Sequence, residues 1–305
     1  MHLLARVKIF ASLLFSLLKY RISNEVGPSS LPMGNRLSRL KMASVLFCPA
    51  CHLDRWNKKS ELYRCLSCGT EIVPARRDFK YAESYQQDRG HYDRTTQAAK
   101  VETFLRFLKD SRVTLRKQDV ILEVGFGGGA VLEYLAKQRK QVFGIEAHNA
   151  AIENLVQRNF PKQHLGTDLA QFSQVFDILF YLDSFEHLLE PQAHLKELDR
   201  VVQKGTRAMV VLPRADSLSR YFMGSMWPHN VPDHWVFYSR KGIVLLWEQQ
   251  GWRCVNTWSP RKKVSLDMIL RHAGFLRVAN FLKPVTQKIS VWLQLGEMGV
   301  VFEKL

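Results

Sequence analysis

Four of the five cysteines in the chain fall in two C-x-x-C pairs, Cys48-Pro-Ala-Cys51 and Cys65-Leu-Ser-Cys68. Each pair can present two thiolates to one ion from a tight turn, and Gly69 supplies the permissive backbone that such a knuckle uses. Four thiolates at this spacing suit a tetrahedral zinc site, although the 13-residue gap between the pairs is shorter than the commonest ribbon spacing. A site closed by four cysteines is structural rather than catalytic. The rival chemistry is two disulfides, which needs an oxidising compartment, and no cleavable signal peptide is evident. A redox C-x-x-C would need one pair, not two. His52 beside Cys51 is a surplus ligand, and the solitary Cys254 reads as core.

A second constellation lies in Glu123-Val-Gly125-Phe126-Gly127-Gly-Gly129. Glycines after a first strand let the backbone approach a ligand in the crevice above the carboxyl ends of parallel strands. Glu146 follows Gly125 by 21 residues, where a carboxylate can accept hydrogen bonds from both hydroxyls of a ribose. Gly125-x-Gly127-x-x-Ala130 also satisfies the loose dinucleotide fingerprint, so these residues alone leave a nicotinamide cofactor open. Three further features favour S-adenosylmethionine. Glu123 stands two residues before the first glycine, a typical place for the acidic residue that faces the methionine end of that cofactor in methyltransferases. Asp168, with Leu169 beside it, follows a third strand and can reach an adenine amino group. Phe176–Leu182 reads as a fourth strand, with the polar cluster Asp183, Glu186 and His187 at its end.

These residues need a scaffold that alternates strand and helix. The spacing predicts strands over Asp119–Val124, Gln141–Ile145, Phe176–Leu182 and Ala208–Leu212, and helices over Gly128–Lys140, Ala150–Asn159 and Gln192–Val202. That alternation implies an α/β fold, a parallel sheet covered by helices on both faces. At 305 residues, 46% hydrophobic and 24% charged, the chain can bury one substantial core plus a small accessory unit, which excludes disordered and fibrous classes. The net charge of +16 suits a solvated surface, and equally an affinity for anionic lipid, nucleic acid or acidic glycans.

From about Phe47 to its end, the chain resembles the bacterial family that joins a zinc ribbon to a class I S-adenosylmethionine-dependent methyltransferase domain. That domain is similar to those of the ubiquinone-biosynthesis O-methyltransferases. The family pattern E-x-G-x-G-x-G is met by Glu123, Gly125, Gly127 and Gly129, and E-H-L-x-x-P by Glu186, His187, Leu188 and Pro191. A later motif is approximated by Trp227, Pro232, His234, Tyr238 and Ser239, with tyrosine where the family has phenylalanine. Gly251-Trp252 replaces Gly-Phe, and Tyr81, Tyr85 and Tyr92 echo a tyrosine-rich entry to the domain. Gln203-Lys-Gly-Thr206 departs from the usual Lys-Pro-Gly-Gly.

The resemblance implies a Rossmann-like seven-stranded sheet of order 3-2-1-4-5-7-6, with Met298–Glu303 as the antiparallel strand. Val264–Leu293 would be an insertion before it, forming a helical lid or a packing surface. The implied organisation is a basic apolar segment and linker over 1–42, a zinc ribbon over 43–78 and the methyltransferase domain over 79–305. The expected cofactors are S-adenosylmethionine, on Glu123, Gly125, Phe126, Gly127, Gly129, Glu146, Asp168, Leu169 and Asp183, and a structural zinc on the four cysteines.

Leu182-Asp-Ser-Phe185 stands where amide- and base-methylating enzymes carry an Asn-Pro-Pro-Tyr type motif, so an oxygen acceptor is expected: a sugar, a lipid-linked glycan or a phenol. An RNA methyltransferase, or a non-enzymatic zinc-dependent interaction protein on a degenerate fold, stays open. Histidine suits deprotonation of a hydroxyl near neutrality, which makes His187 the first candidate base and His234 the second. A variant has Glu186 and His187 holding a divalent metal. Met1–Arg21 holds an apolar run, Ile9–Leu18, flanked by basic residues and too short to span a bilayer. It suits an interfacial helix on an otherwise cytoplasmic protein, a helix packed on the body, or sequence upstream of a start at Met33 or Met42.

Overall fold

The computed structural model describes residues 46–77, 94–138 and 141–305. The segment Met1–Arg21, the linker Ser23–Ser38 and the tyrosines at 81, 85 and 92 lie outside the described residues.

The catalytic scaffold is a seven-stranded sheet. Its strands are β4 (Ile121–Val124), β5 (Val142–Ile145), β6 (Leu165–Gly166), β7 (Phe176–Leu182), β8 (Val202–Pro213), β10 (Trp252–Trp258) and β13 (Glu297–Lys304). They run in the order β10-β13-β8-β7-β4-β5-β6. Pairings among β6, β5, β4, β7 and β8 are parallel, whereas β13 is antiparallel to both β8 and β10. This is the 3-2-1-4-5-7-6 arrangement of the class I methyltransferase fold, with the reversed strand where the resemblance places it.

Ile121–Val124 is buried at every position, as expected of a central parallel strand covered on both faces. Its side chains alternate between two cores. Leu122 and Val124 join Leu179, Tyr181 and Val210 on one face, and Ile121 joins Ile178, Phe180 and Met209 on the other. The second face is covered by α1 (Arg94–Ser111) and α2 (Ala130–Gln138), through Phe104, Phe107 and Leu132. On the first face α6 (Arg240–Glu248) contributes Trp247, whose ring stacks on Phe302 at 4.5 Å. The remaining helices of the alternating part are α3 (Asn149–Gln157) and α4 (Pro191–Leu198).

One strand is longer than the sequence suggests. β8 begins at Val202 and carries Gln203–Thr206, which reads as a turn, as an irregularity within the strand. The hydroxyl of Thr206 donates to the carbonyl of Phe176 at 2.8 Å, and Gly205 adopts φ +87°. A side-chain bond replaces the missing ladder bond there and lets the strand continue through the kink.

The four cysteines sit in a ribbon built from β1 (Trp56–Lys59), β2 (Leu62–Cys65) and β3 (Glu71–Ile72). Its sheet is completed by β9 (Val236–Phe237), which pairs Val236 with Ile72 and Phe237 with Glu71. The ribbon therefore shares a sheet with the loop that follows β8. Ser239, the N-cap of α6, fastens the joint: its hydroxyl donates to the carbonyl of Cys68 and accepts the N–H of Gly242 at 2.9 Å.

After β10 the chain forms an antiparallel ribbon of β11 (Lys262–Ser265) and β12 (Ser290–Leu293). The ribbon brackets three short helices, α7 (Leu266–His272), α8 (Leu276–Phe281) and α9 (Lys283–Thr286). The expected insertion is thus helical, held at its base by two strands. A further helix, α5 (Leu218–Met223), follows β8. No helix among the described residues is long and apolar enough to cross a membrane.

Candidate active site

A cleft of about 1850 Å³ opens above the carboxyl ends of β4, β5 and β7. β4 lies where the strand order reverses, the place at which doubly wound sheets bind ligands. Between β4 and α2, Gly125 and Gly129 adopt φ +77° and +73°. A side chain at Gly125 would strike Ser184, whose hydroxyl donates to the carbonyl of Val124 at 2.6 Å. The ends of β4 and β7 thus approach as closely as they do because position 125 has no Cβ.

Glu146, at the end of β5, is buried and faces this loop. Its Oε2 accepts the N–H of Gly127 at 2.8 Å, and its Oε1 accepts that of His148 at 3.3 Å. Glu123 is 3% exposed, and its Oε2 has no hydrogen-bond partner among the described residues. Burial pushes its carboxyl up to about 8, with Lys100 pulling the other way and Glu146 adding to the rise. Asp168 precedes the 3₁₀ turn Leu169–Gln171 and is exposed, with Leu169 buried beneath it.

Glu123, Gly125, Phe126, Gly127, Glu146, Asp168, Leu169 and Asp183 all line the cleft. Gly129 does not. It sits at the start of α2, where an added Cβ would lie 2.8 Å from Leu155, so its place is in helix packing below the wall.

The polar cluster after β7 forms the other wall. Asp183 adopts φ +54°, a left-handed conformation rare for a non-glycine residue, and its Oδ2 receives the ammonium of Lys262 at 2.6 Å. The same ammonium lies 2.5 Å from Oε1 of Glu297, which in turn lies 3.2 Å from Nε2 of His229. Burial opposes charge on Lys262, but the two carboxylates outweigh it and hold the ammonium protonated. Glu297 resists the same burial, drawn down to about 2 by Lys262 and His229.

His187 lines the cleft and His234 lies behind it, with ring centroids 4.8 Å apart. His234 is buried, its Nδ1 2.8 Å from the carbonyl of His229. Burial, followed by the neighbouring His187 and His229, pushes it well below the ordinary imidazole range, so it is neutral. Glu186 is wholly buried with both carboxyl oxygens unpartnered among the described residues. Burial, then Asp183, drives its carboxyl well above the usual range. Ligand atoms of Glu186, His187 and His234 lie within 4.8 Å of one another, although Glu186 Oε1 and His234 Nε2 are 3.8 Å apart, too far for a hydrogen bond.

Lys262, Glu297 and His229 are site residues that sequence reasoning missed. Lys262 belongs to the insertion and reaches Asp183 across 79 residues. Glu297 had a readable signal. It opens the antiparallel strand and pairs with Pro213, so its end of β13 lies at the carboxyl edge of β8.

The four cysteines are buried and close in space. Sγ of Cys48 lies 3.5 Å from that of Cys68, and Sγ of Cys51 lies 3.5 Å from that of Cys65. A disulfide needs about 2.05 Å, whereas two thiolates about 2.3 Å from one tetrahedral ion lie roughly 3.8 Å apart. The set fits a shared ion. His52 is exposed, and Cys254 is half-buried at the irregularity of β10.

A family model described as a methyltransferase domain matches residues 91–257. A ubiquinone biosynthesis O-methyltransferase of Cronobacter sakazakii is 26% identical over 93 residues, which are 28% of this chain and 38% of that protein. The match thus spans well under half of the relative's length. A chain from the complex between the Haloferax volcanii Trm112 methyltransferase activator and a putative methyltransferase superposes with a TM-score of 0.52. It is 13% identical and covers 73% of this chain and 97% of its own. An S-adenosylmethionine-dependent methyltransferase of Archaeoglobus fulgidus gives a TM-score of 0.48 at 11% identity, covering 74% of this chain and all of its own.

Proposed function

The chain belongs to the methyltransferase-domain family and is an enzyme of that class, and from that premise we propose that it methylates a hydroxyl, with His187 as the base. S-adenosylmethionine, when bound, supplies a methyl group on a sulfonium leaving group. Glu146 would hold the ribose hydroxyls and Asp168 the adenine amino group. The buried, unpartnered Oε2 of Glu123 suits the ammonium of the methionine end. An orphaned acid of this kind is costly unless a ligand satisfies it.

The observation that carries the oxygen-acceptor reading is the anchoring of His187. Its Nδ1 lies 3.1 Å from the carbonyl of Asp233, which can only accept. When the ring is neutral, this contact sets its proton on Nδ1 and leaves Nε2 as the acceptor, the tautomer a general base requires. Asp183, locked by Lys262, orients cofactor or acceptor beside it. The acceptor class is a sugar, a lipid-linked glycan or a phenol.

We assign a structural zinc to Cys48, Cys51, Cys65 and Cys68, supported by their mutual distances and burial. Reduced thiols suit a cytoplasmic setting. The deciding experiment incubates the protein with labelled S-adenosylmethionine and cell extract, then separates lipid, glycan, phenolic, RNA and protein fractions. Label in lipid, glycan or phenol is expected. Label confined to RNA would replace this reading with that of a zinc-ribbon RNA methyltransferase.

A further inference from the structure

Exposed apolar side chains are concentrated in two segments, the helix after β8 and the insertion whose Met268 lines the cleft. Thirteen of the 21 exposed large apolar side chains among the described residues fall in two stretches, 218–226 and 268–292. Tyr221 and Phe222 on α5 are 81% and 68% exposed, and Leu276, Phe281 and Val285 on α8 and α9 are 55%, 85% and 56% exposed. His272 Nε2 joins the stretches, 2.8 Å from the carbonyl of Met226. A single exposed leucine is ordinary, whereas a concentration of this size marks an interaction surface.

The same surface is strongly basic. Residues 261–288 carry seven lysines and arginines against one acid, Asp267. Lys262 is committed to Asp183 and Glu297, Lys263 to Glu102 and Arg271 to Asp267. Arg261, Arg277, Lys283 and Lys288 are exposed and lie in none of the ion pairs found among the described residues.

Charge and chemistry together select the occupant. A second copy docking by a two-fold axis would bring this positive face against itself. Single-stranded nucleic acid would match the charge but stacks its bases on aromatic rings, and eight of these thirteen side chains, six of them Leu, Val or Ile, offer no ring to stack on. An anionic bilayer takes both features, with apolar side chains at the acyl boundary and cations among the headgroups.

We propose that the face formed by α5 and the insertion 262–293 seats on an anionic lipid bilayer and turns the mouth of the cleft toward it. Met268, Arg271 and Lys283 line the cleft as well as belonging to the insertion, so the docked face and the site share a rim. The surface stands on its own residues and not on the identity of the acceptor.

The test is co-sedimentation of the full chain with phosphatidylcholine vesicles, with and without about one third phosphatidylglycerol. The wild type should bind only the anionic vesicles. Phe281→Ser with Val285→Ser should weaken binding about tenfold or more, because both side chains would otherwise be buried in the interface. Arg261→Glu with Arg277→Glu should weaken it in the same assay. An unchanged melting temperature and S-adenosylmethionine affinity will show that the variants are folded. Vesicles of brominated lipid should quench the wild type more than Trp292→Phe, since Trp292 lies on the proposed face at 41% exposure.

Failure of the wild type to bind anionic vesicles overturns the proposal. So does binding that both double variants retain, which would place the contact elsewhere in the chain. A wild-type dimer that the Phe281→Ser, Val285→Ser variant dissolves would make this face a contact between copies. Polyuridylate binding lost in the arginine variant alone would make it a nucleic-acid surface.

Discussion

His187 and His234 lie with ring centroids 4.8 Å apart, yet only His187 reaches the cleft. Each ring is anchored through Nδ1 to a different backbone carbonyl, that of Asp233 and that of His229. In the neutral form each ring carries its proton on Nδ1, and of the two only His187 is placed in the cleft where the proposed base must act. His187→Ala should lower turnover by about 10²–10⁴-fold while S-adenosylmethionine affinity, measured by calorimetry, stays nearly unchanged. His234→Ala should act chiefly on stability, through the loss of a packed, hydrogen-bonded ring. An unaltered rate in His187→Ala would remove it from the base role.

Glu146 tests the cofactor wall. Its carboxylate accepts two backbone N–H groups and faces the cleft beside Gly127. Glu146→Ala should weaken S-adenosylmethionine binding by about 1.5–3 kcal/mol for each charge-assisted hydrogen bond lost to the ribose. Tight binding of a nicotinamide cofactor by the wild type, with no binding of S-adenosylmethionine, would overturn the assignment of the wall.

Lys262 tests the opposite wall. Removing its ammonium leaves Glu297, whose side chain is wholly buried, without its strongest partner and frees Asp183 to relax. Lys262→Met should destabilise the fold by about 3 kcal/mol in urea unfolding, the cost of stranding a buried charge. It should also lower activity through displacement of Asp183. Adding Glu297→Gln should recover part of the stability, because the stranded charge is then gone. If the double variant were as unstable as the single one, the Lys262–Glu297 pair would not be the source of the effect.

What was legible in the sequence follows from local rules. The run Ile121–Val124, its glycine loop and Glu146 at the next strand end announce themselves by periodicity and spacing. The order of the sheet came from family resemblance, since periodicity does not order strands. The Lys262–Asp183 pair was invisible because its partners are 79 residues apart and Lys262 lies in an insertion without a motif. The union of β9 with the ribbon was hidden for a similar reason. Val236 and Phe237 form a two-residue strand, too short to signal, and only tertiary pairing with Glu71 and Ile72 creates it. Gln203–Thr206 misled because a glycine turn and a kinked strand share the same composition.

That shared sheet gives the proposed zinc a consequence beyond the ribbon. Purified protein should hold about one zinc per chain, and Cys68→Ser should reduce that content. Ser239 donates to the carbonyl of Cys68, and β9 begins two residues after His234, so loosening the ribbon should disturb the acceptor wall. Chelation should therefore raise the acceptor KM while leaving S-adenosylmethionine affinity largely intact. Zinc-free protein with intramolecular disulfides under reducing cytosolic conditions would contradict the assignment.

The buried carboxyl of Glu123 predicts a pH dependence whose sign is fixed. Burial raises it from 4.5 in the unfolded chain to about 8 in the folded one, so the folded state holds a proton that the unfolded state releases. The resulting stabilisation is full below about 4.5 and is lost as the pH rises through about 8. The melting temperature of the ligand-free protein should accordingly fall from about pH 5 to about pH 9 by more than that of Glu123→Gln, which cannot ionise. A bound ammonium prefers the carboxylate, so S-adenosylmethionine should bind the wild type more tightly as pH rises through this window, with release of a proton. Calorimetry in buffers of different ionisation enthalpy will count that proton. Parallel melting curves for wild type and variant would show that Glu123 is already ionised in the fold, and its place at the methionine end of the cofactor would then need another explanation.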